Sequence, residues 1–437
     1  MASTSRSTAL LTDHYELTML EAALRSGAAE RRCVFEAFAR RLPEGRRYGV
    51  VAGTGRVLDA LQRFRFGETE IEDLRRRQVV DEATCDWLAG YRFSGDVSGY
   101  AEGEVYFPGS PVFVVEASFA EGVVLETLVL SILNHDTAIA SAASRMTAAA
   151  GDRPCIEMGS RRTHEEAAVA AARAAYIAGF STTSNLEAGR RYGVPTAGTA
   201  AHAFTLVHDS EREAFEAQVA SLGTGTTLLV DTYDVPEGVR TAVDVAGTSL
   251  GAVRLDSGDL LEQARQARAQ LDELGASSTR IIVTSDLDEY AIAALAAAPV
   301  DAYGVGTQLV TGSGAPTAGM VYKLVSRSDD DGVMRPVEKR SVSKTSVGGR
   351  KWALRRLDAD GVAEAEVVGI EERPTDDGDD RPLMVDLVRD GELLAAPDLS
   401  AARERHRLSR SELPTDALRL QRGDVALPTV FEDQVRT

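Results

Sequence analysis

Gly251-Ala252-Val253-Arg254-Leu255-Asp256-Ser257-Gly258-Asp259-Leu260 is the stretch on which the fold turns. A short apolar run reads as a strand, two charged residues close it, and a small-residue turn opens a helix. Arg254 and Asp256 flank Leu255, so the period of two puts them on one strand face. The same rhythm recurs on both sides. Candidate strands are 155–158, 176–180, 196–199, 227–231, 251–256, 280–284 and 301–306. Helices are expected over 165–175, 185–192, 212–221, 238–248, 260–274 and 287–297. Repeated βα units imply parallel strands with helical crossovers. About seven of them favour an irregular α/β barrel over an open doubly wound sheet.

The flanks read differently. Residues 1–7 are small and polar and are expected to be disordered. Thr12-Asp13 caps an amphipathic helix that Gly27 stops, and Val34-Phe35-Glu36-Ala37-Phe38-Ala39 alternates as a strand. Residues 125–143 form a long apolar helix, and beyond Lys323 short strands alternate with acidic turns such as Asp376-Asp377-Gly378-Asp379-Asp380. The expected division is an N-terminal α+β segment (1–125), an α/β-barrel catalytic domain (126–325) and a C-terminal segment (326–437). The two end segments together would make a second, smaller α+β domain.

Composition narrows the class. The 48 basic and 67 acidic residues leave a net charge of −19, which repels nucleic acid backbones. No stretch reaches the ~18 apolar residues of a membrane span, and no signal-peptide core precedes residue 12. Cys33, Cys85 and Cys155 fit neither a disulfide framework nor a zinc site, so a reducing cytoplasm is expected. The acidic field does not exclude a phosphorylated small molecule, because close arginines and N–H groups outweigh screened distant charges.

Charged residues that end barrel strands point into the pocket mouth. Asp256 could hold sugar hydroxyls or a metal, with Ser257, Gly258 and Asp259 opening a helix toward an anion; an ordinary N-cap turn reads equally well. Ser285 follows the 280–284 strand. Gly304-Val305-Gly306-Thr307 is a glycine-flanked turn where backbone could approach a phosphate. Arg161-Arg162 could clamp phosphate, or pair with Glu165 or Glu166. His202 lies among small residues just past a strand, as a phosphoryl acceptor or a capping histidine. Tyr15 and Phe35 suit stacking on a flat ring, and equally suit a core.

Together these segments resemble nicotinate phosphoribosyltransferases. The resemblance is carried by Thr12-Asp13-His14-Tyr15-Glu16-Leu17-Thr18-Met19, Glu157-Met158-Gly159-Ser160-Arg161-Arg162, Gly198-Thr199-Ala200-Ala201-His202, Val253 through Leu260, and Tyr303-Gly304-Val305-Gly306-Thr307. It runs in order from residue 10 to about residue 350. It implies a homodimer with shared active sites and conversion of nicotinate and phosphoribosyl pyrophosphate to nicotinate mononucleotide and pyrophosphate. Mg²⁺ and coupled ATP hydrolysis are implied as well, in NAD salvage.

By the same resemblance His202 is the histidine phosphorylated by ATP, Asp256 holds the ribose hydroxyls, and Arg254 neutralises an anion near the base. Arg161 contacts phosphate, and Ser285, Gly304, Gly306 and Thr307 surround the 5′-phosphate. Tyr15 stacks on the pyridine ring. Ser184 and Asn185 stand where the nicotinamide enzyme carries an aspartate; Thr183-Ser184-Asn185 has no acid, which favours nicotinate. His164 and Glu165 depart from the family pattern beside the paired arginines. The alternatives are a nicotinamide or quinolinate phosphoribosyltransferase of the same fold, and a non-catalytic metabolite-binding barrel.

Overall fold

The computed structural model of the chain describes residues 6–339 and 347–432, so most of the expected disordered start, residues 1–5, lies outside the described residues. Two compact units emerge: Ile139–Pro316, and Met1–Ala138 together with Thr317–Thr437. The first boundary falls inside the helix Glu126–Ala150 rather than in the turn before it. An uninterrupted apolar helix carries no local mark of where one core ends and another begins.

The unit Ile139–Pro316 is built on six parallel strands. Their spatial order is Thr182–Thr183, Cys155–Glu157, Ala302–Val305, Arg280–Ser285, Ala252–Leu255 and Thr227–Leu229. The two outer strands do not pair with each other, so the barrel expected from the sequence is an open, curled half-barrel. Its strands are apolar and buried, as strands covered on both faces must be. The intervening helices have legible causes. Asp259 caps Leu260–Glu273 by accepting from Glu262 N, and Ala264, Ala267 and Leu271 recur on its buried face. His164 caps Glu165–Ile177, whose first turn holds Glu165 and Glu166 against the positive helix end.

Two expected strands are absent. Residues 176–180 are not a strand: Tyr176 and Ile177 end a helix, and Gly179 turns the chain at φ +105°. A short apolar run has no period with which to separate the two states. Residues 196–199 contribute one isolated bridge, Thr183 to Thr196, and then run exposed.

In the other unit, seven antiparallel strands form one sheet. Arg32–Ala39 lies between Met320–Ser328 and Phe113–Ser118, and Asp96–Tyr100 pairs with Met384–Arg389. Both ends of the chain therefore build this unit, as expected, but it is the larger of the two rather than the smaller. Beyond the two end segments, the terminal unit also claims residues 126–138 and 317–325, which the expected division gives to the barrel. Phe35 belongs to its core. It is 4% exposed, stacks on Tyr322 with centroids 5.1 Å apart, and leans on Phe119. A ring sealed in this way has no face for a ligand, which corrects its assignment to substrate binding.

Candidate active site

The carboxyl ends of the parallel strands gather polar groups in rank because the register aligns them. Leu229 pairs with Arg254 and Val283 with Leu255, so Asp231, Asp256 and Thr284 follow side by side. Asp231 is the clamp of this row. Its side chain is 2% exposed, and Oδ2 accepts from Asp256 N at 2.9 Å and from Ser257 Oγ at 3.0 Å. Thr284 Oγ1 donates to Asp256 Oδ1, which fixes the carboxylate's rotation and leaves Oδ2 open. The turn after Leu255 is therefore more than an N-cap: Asp259 does the capping, while Asp256 is held out from it.

A cavity of about 450 Å³ opens at these strand ends. Its walls include eight of the residues singled out in the sequence: Arg161, Ser184, Arg254, Asp256, Ser285, Gly304, Gly306 and Thr307. Arg254 donates through Nη1 to Thr199 Oγ1, whereas its buried Nε has no acceptor. Burial lowers its pKa from the ordinary arginine range, Asp256 and Asp231 pull it back up, and nearby Arg161 lowers it further. Guanidinium stays charged under such pressures, so Arg254 is a cation with a donor to spare. Arg161 and Arg162 are exposed on the cavity wall, and neither guanidinium has a partner among the described residues. The salt-bridge alternative fails: Glu166 pairs with Arg191, and Glu165 lies by His164 Nε2 at 3.7 Å.

His202 starts the short helix His202–Leu206 beside this row. Nδ1 lies 3.2 Å from Thr232 Oγ1; Nε2 lies 3.8 Å from Asp256 Oδ2 and 3.9 Å from Asp231 Oδ1. One ring nitrogen is thus engaged and the other faces two carboxylates. Ser184 reaches the cavity, but Asn185 does not line it. Asn185 Oδ1 accepts from Ala188 N as the cap of Leu186–Tyr192, and Nδ2 donates to Ser160 Oγ at 2.9 Å. Both ends of the amide are spent on the fold, which corrects its assignment to the ligand.

Gly304 has a packing cause that sequence reading missed: a Cβ there would strike Thr284 and Met158. Gly306 leaves ordinary space around its missing Cβ. Tyr15 sits in the other unit on the helix His14–Ser26 and is 45% exposed, with its hydroxyl raised to about 12, chiefly by burial and then by Glu126. Asp231, Thr232 and Thr284 were not singled out beforehand. Asp231 alone carried a signal, since it ends the apolar run Leu228-Leu229-Val230 as Asp256 ends its own.

Comparison with known proteins places this geometry. Residues 10–134 match the nicotinate phosphoribosyltransferase (NAPRTase) N-terminal domain, and residues 154–355 match the NAPRTase family. A nicotinate phosphoribosyltransferase of Mycobacterium tuberculosis, pncB1, is 62% identical over 429 residues, covering 96% of this chain and 94% of its own. The enzyme of that name from Bacillus subtilis is 37% identical over 80% of this chain and 73% of its own length. The crystal structure of human nicotinic acid phosphoribosyltransferase superposes with a TM-score of 0.83 at 26% identity, covering 97% of this chain and 98% of that one. Sharing both the sequence matches and the fold, the chain belongs to the nicotinate phosphoribosyltransferase family.

Proposed function

We propose that this chain transfers the phosphoribosyl group of phosphoribosyl pyrophosphate to nicotinate, releasing pyrophosphate and forming nicotinate mononucleotide, a salvage step toward NAD. The observation that carries this reading is the convergence of Arg161, Arg254 and Asp256 on one cavity, in a chain 62% identical to an enzyme of that name.

Ribosyl transfer passes through a cationic, oxocarbenium-like sugar. Asp256 Oδ2, the oxygen that Thr284 leaves free, is suited to hold ribose hydroxyls and to stabilise that charge. Arg161 and Arg162 supply unpaired cations for phosphate, and Gly306 with Thr307 and Ser285 offers a backbone-lined turn for the 5′-phosphate. The acid is preferred over the amide for a concrete reason. A carboxamide is best held by a carboxylate that accepts from its N–H₂, and residues 183–185 carry no acidic group; the one acid behind them, Glu157, is fully buried. Ser184 and the Arg254 Nε offer donors, which a carboxylate uses.

ATP hydrolysis is coupled, in this reading, through phosphorylation of His202 at Nε2, the nitrogen not engaged by Thr232. Two carboxylates within 4 Å of that atom would repel a phosphoryl group unless a cation lay between them. Asp231 Oδ1 is buried without a donor, and hard carboxylate oxygens of this kind fit Mg²⁺, with Asp231 and Asp256 as its holders. Bound there, Mg²⁺ would neutralise phosphate oxygens. Exposed Leu10, Leu11, Tyr15 and Met19 support a homodimer in which Tyr15 of one copy stacks on the pyridine ring in the other. Among the described residues no helix is long and apolar enough to cross a membrane, and all three cysteines are free and buried, which suits the cytoplasm.

The test compares nicotinate, nicotinamide and quinolinate as acceptors, with and without ATP, for the wild type and His202→Ala. Turnover of nicotinate is expected, with ATP stimulation lost in His202→Ala while ATP-independent transfer persists. Preference for another acceptor would overturn the substrate, and unchanged stimulation would overturn the phosphohistidine.

A further inference from the structure

Glu157 ends its strand with a side chain that is 0% exposed and, among the described residues, reaches no cation. Burying a carboxylate costs several kcal/mol unless its oxygens find donors, and here both do. Oε1 accepts from the Gly159 N–H and Oε2 from the Thr183 hydroxyl, while Thr183 Oγ1 in turn accepts from Asn185 N at 2.9 Å. The backbone oxygen of Glu157 accepts from Ser184 N at 2.8 Å. One residue therefore ties together two loops. The first, Met158 to Arg162, carries Ser160 and the two unpaired arginines; the second, Thr183 to Asn185, carries Ser184. Asn185 Nδ2 closes the ring on Ser160 Oγ.

The arginine loop has no slack with which to absorb a loss. Met158 N donates to Val305 O at 2.8 Å, and a Cβ on Gly159 would run into Val310. The loop is thus wedged against the Gly306 turn on one side and hung from Glu157 on the other. Removing the carboxylate would orphan a buried N–H at Gly159 and a buried hydroxyl at Thr183.

We infer that Glu157 and Thr183 form a positioning pair that holds the Arg161–Arg162 loop and Ser184 at the spacing needed to bind the pyrophosphate-bearing substrate. This inference rests on the phosphoribosyl-transfer reading for its substrate but not for its geometry. The decisive variants are Thr183→Val, which removes the hydroxyl at nearly constant volume, Thr183→Ser, which restores it, and Glu157→Gln.

In the full chain, Thr183→Val and Glu157→Gln are expected to raise KM for phosphoribosyl pyrophosphate by about tenfold, the size of one lost charge-assisted hydrogen bond. kcat should change less, Thr183→Ser should stay near wild type, and the double variant should be no worse than the poorer single one. Titration with inorganic pyrophosphate by calorimetry should show the same order of affinities without any turnover. If the variants melt earlier but bind pyrophosphate and substrate as tightly as wild type, the pair is merely structural and the inference fails. A wild type inactive on nicotinate would sink the substrate reading alone, since the pyrophosphate titration still decides the positioning role.

Discussion

Two regions of this molecule gather arginine and carboxylate in close quarters and put them to opposite uses. In the terminal unit Arg355 is fully buried; its Nη2 donates to Val105 O at 2.8 Å and to Glu366 Oε2 at 3.1 Å, and its Cζ lies over the Phe107 ring. Tyr100 and Ser110 donate to the same Glu366, and Arg381 bridges Glu104 and Glu412. At the half-barrel mouth, Arg254 and Asp256 stand among similar groups, yet Arg254 Nε and Asp231 Oδ1 lack hydrogen-bond partners, and Arg254 and Asp256 line a cavity of about 450 Å³. Arg355 also has donors without acceptors, at Nε and Nη1. What separates a structural network from a site is therefore access to space for a ligand, more than unsatisfied polar atoms as such.

Breaking the sealed network gives the largest expected effect. Arg355→Met should cost about 3–5 kcal/mol of stability, because it strands a buried carboxylate. The fraction that folds should keep its KM values; urea unfolding set beside kinetics on the same preparation checks this, and a shifted KM would tie the network to catalysis. Asp256→Asn reverses the pattern. Turnover should fall by about 10²–10³-fold, as for loss of one group facing developing charge, while the melting temperature stays near wild type. A near-wild-type rate would remove Asp256 from the chemistry.

The smallest effect separates the two regions by pH. His406, on the helix Leu399–Ser411 of the terminal unit, is 2% exposed, and burial, then Arg410 and Arg403, lower its pKa to about 3. The folded state keeps it neutral, whereas the unfolded chain takes up a proton below about 6.5. Stability from this residue is therefore intact above about 6.5 and lost as pH falls toward 3, at up to about 1.4 kcal/mol per pH unit. Unfolding midpoints at pH 7 and pH 5 should differ less in His406→Gln than in wild type; equal pH dependence would show that other groups dominate.

Sequence alone determined the βα rhythm, the parallel strands, and the placing of Arg161, Arg254, Asp256 and the 304–307 turn at strand ends. These follow from period, capping and turn chemistry, which act over a few residues. Tertiary structure decided what lies many positions away. The register of neighbouring strands set Thr284 and Asp231 against Asp256, and the placing of the helix His202–Leu206 set His202 beside Thr232. The tertiary fold also left the barrel open, sealed Phe35 beneath Tyr322, and tied the Asn185 amide to Ser160. Strand alternation says which face a side chain takes but not which strand lies alongside, and partnership across 25 or 28 residues is fixed only when the sheet assembles.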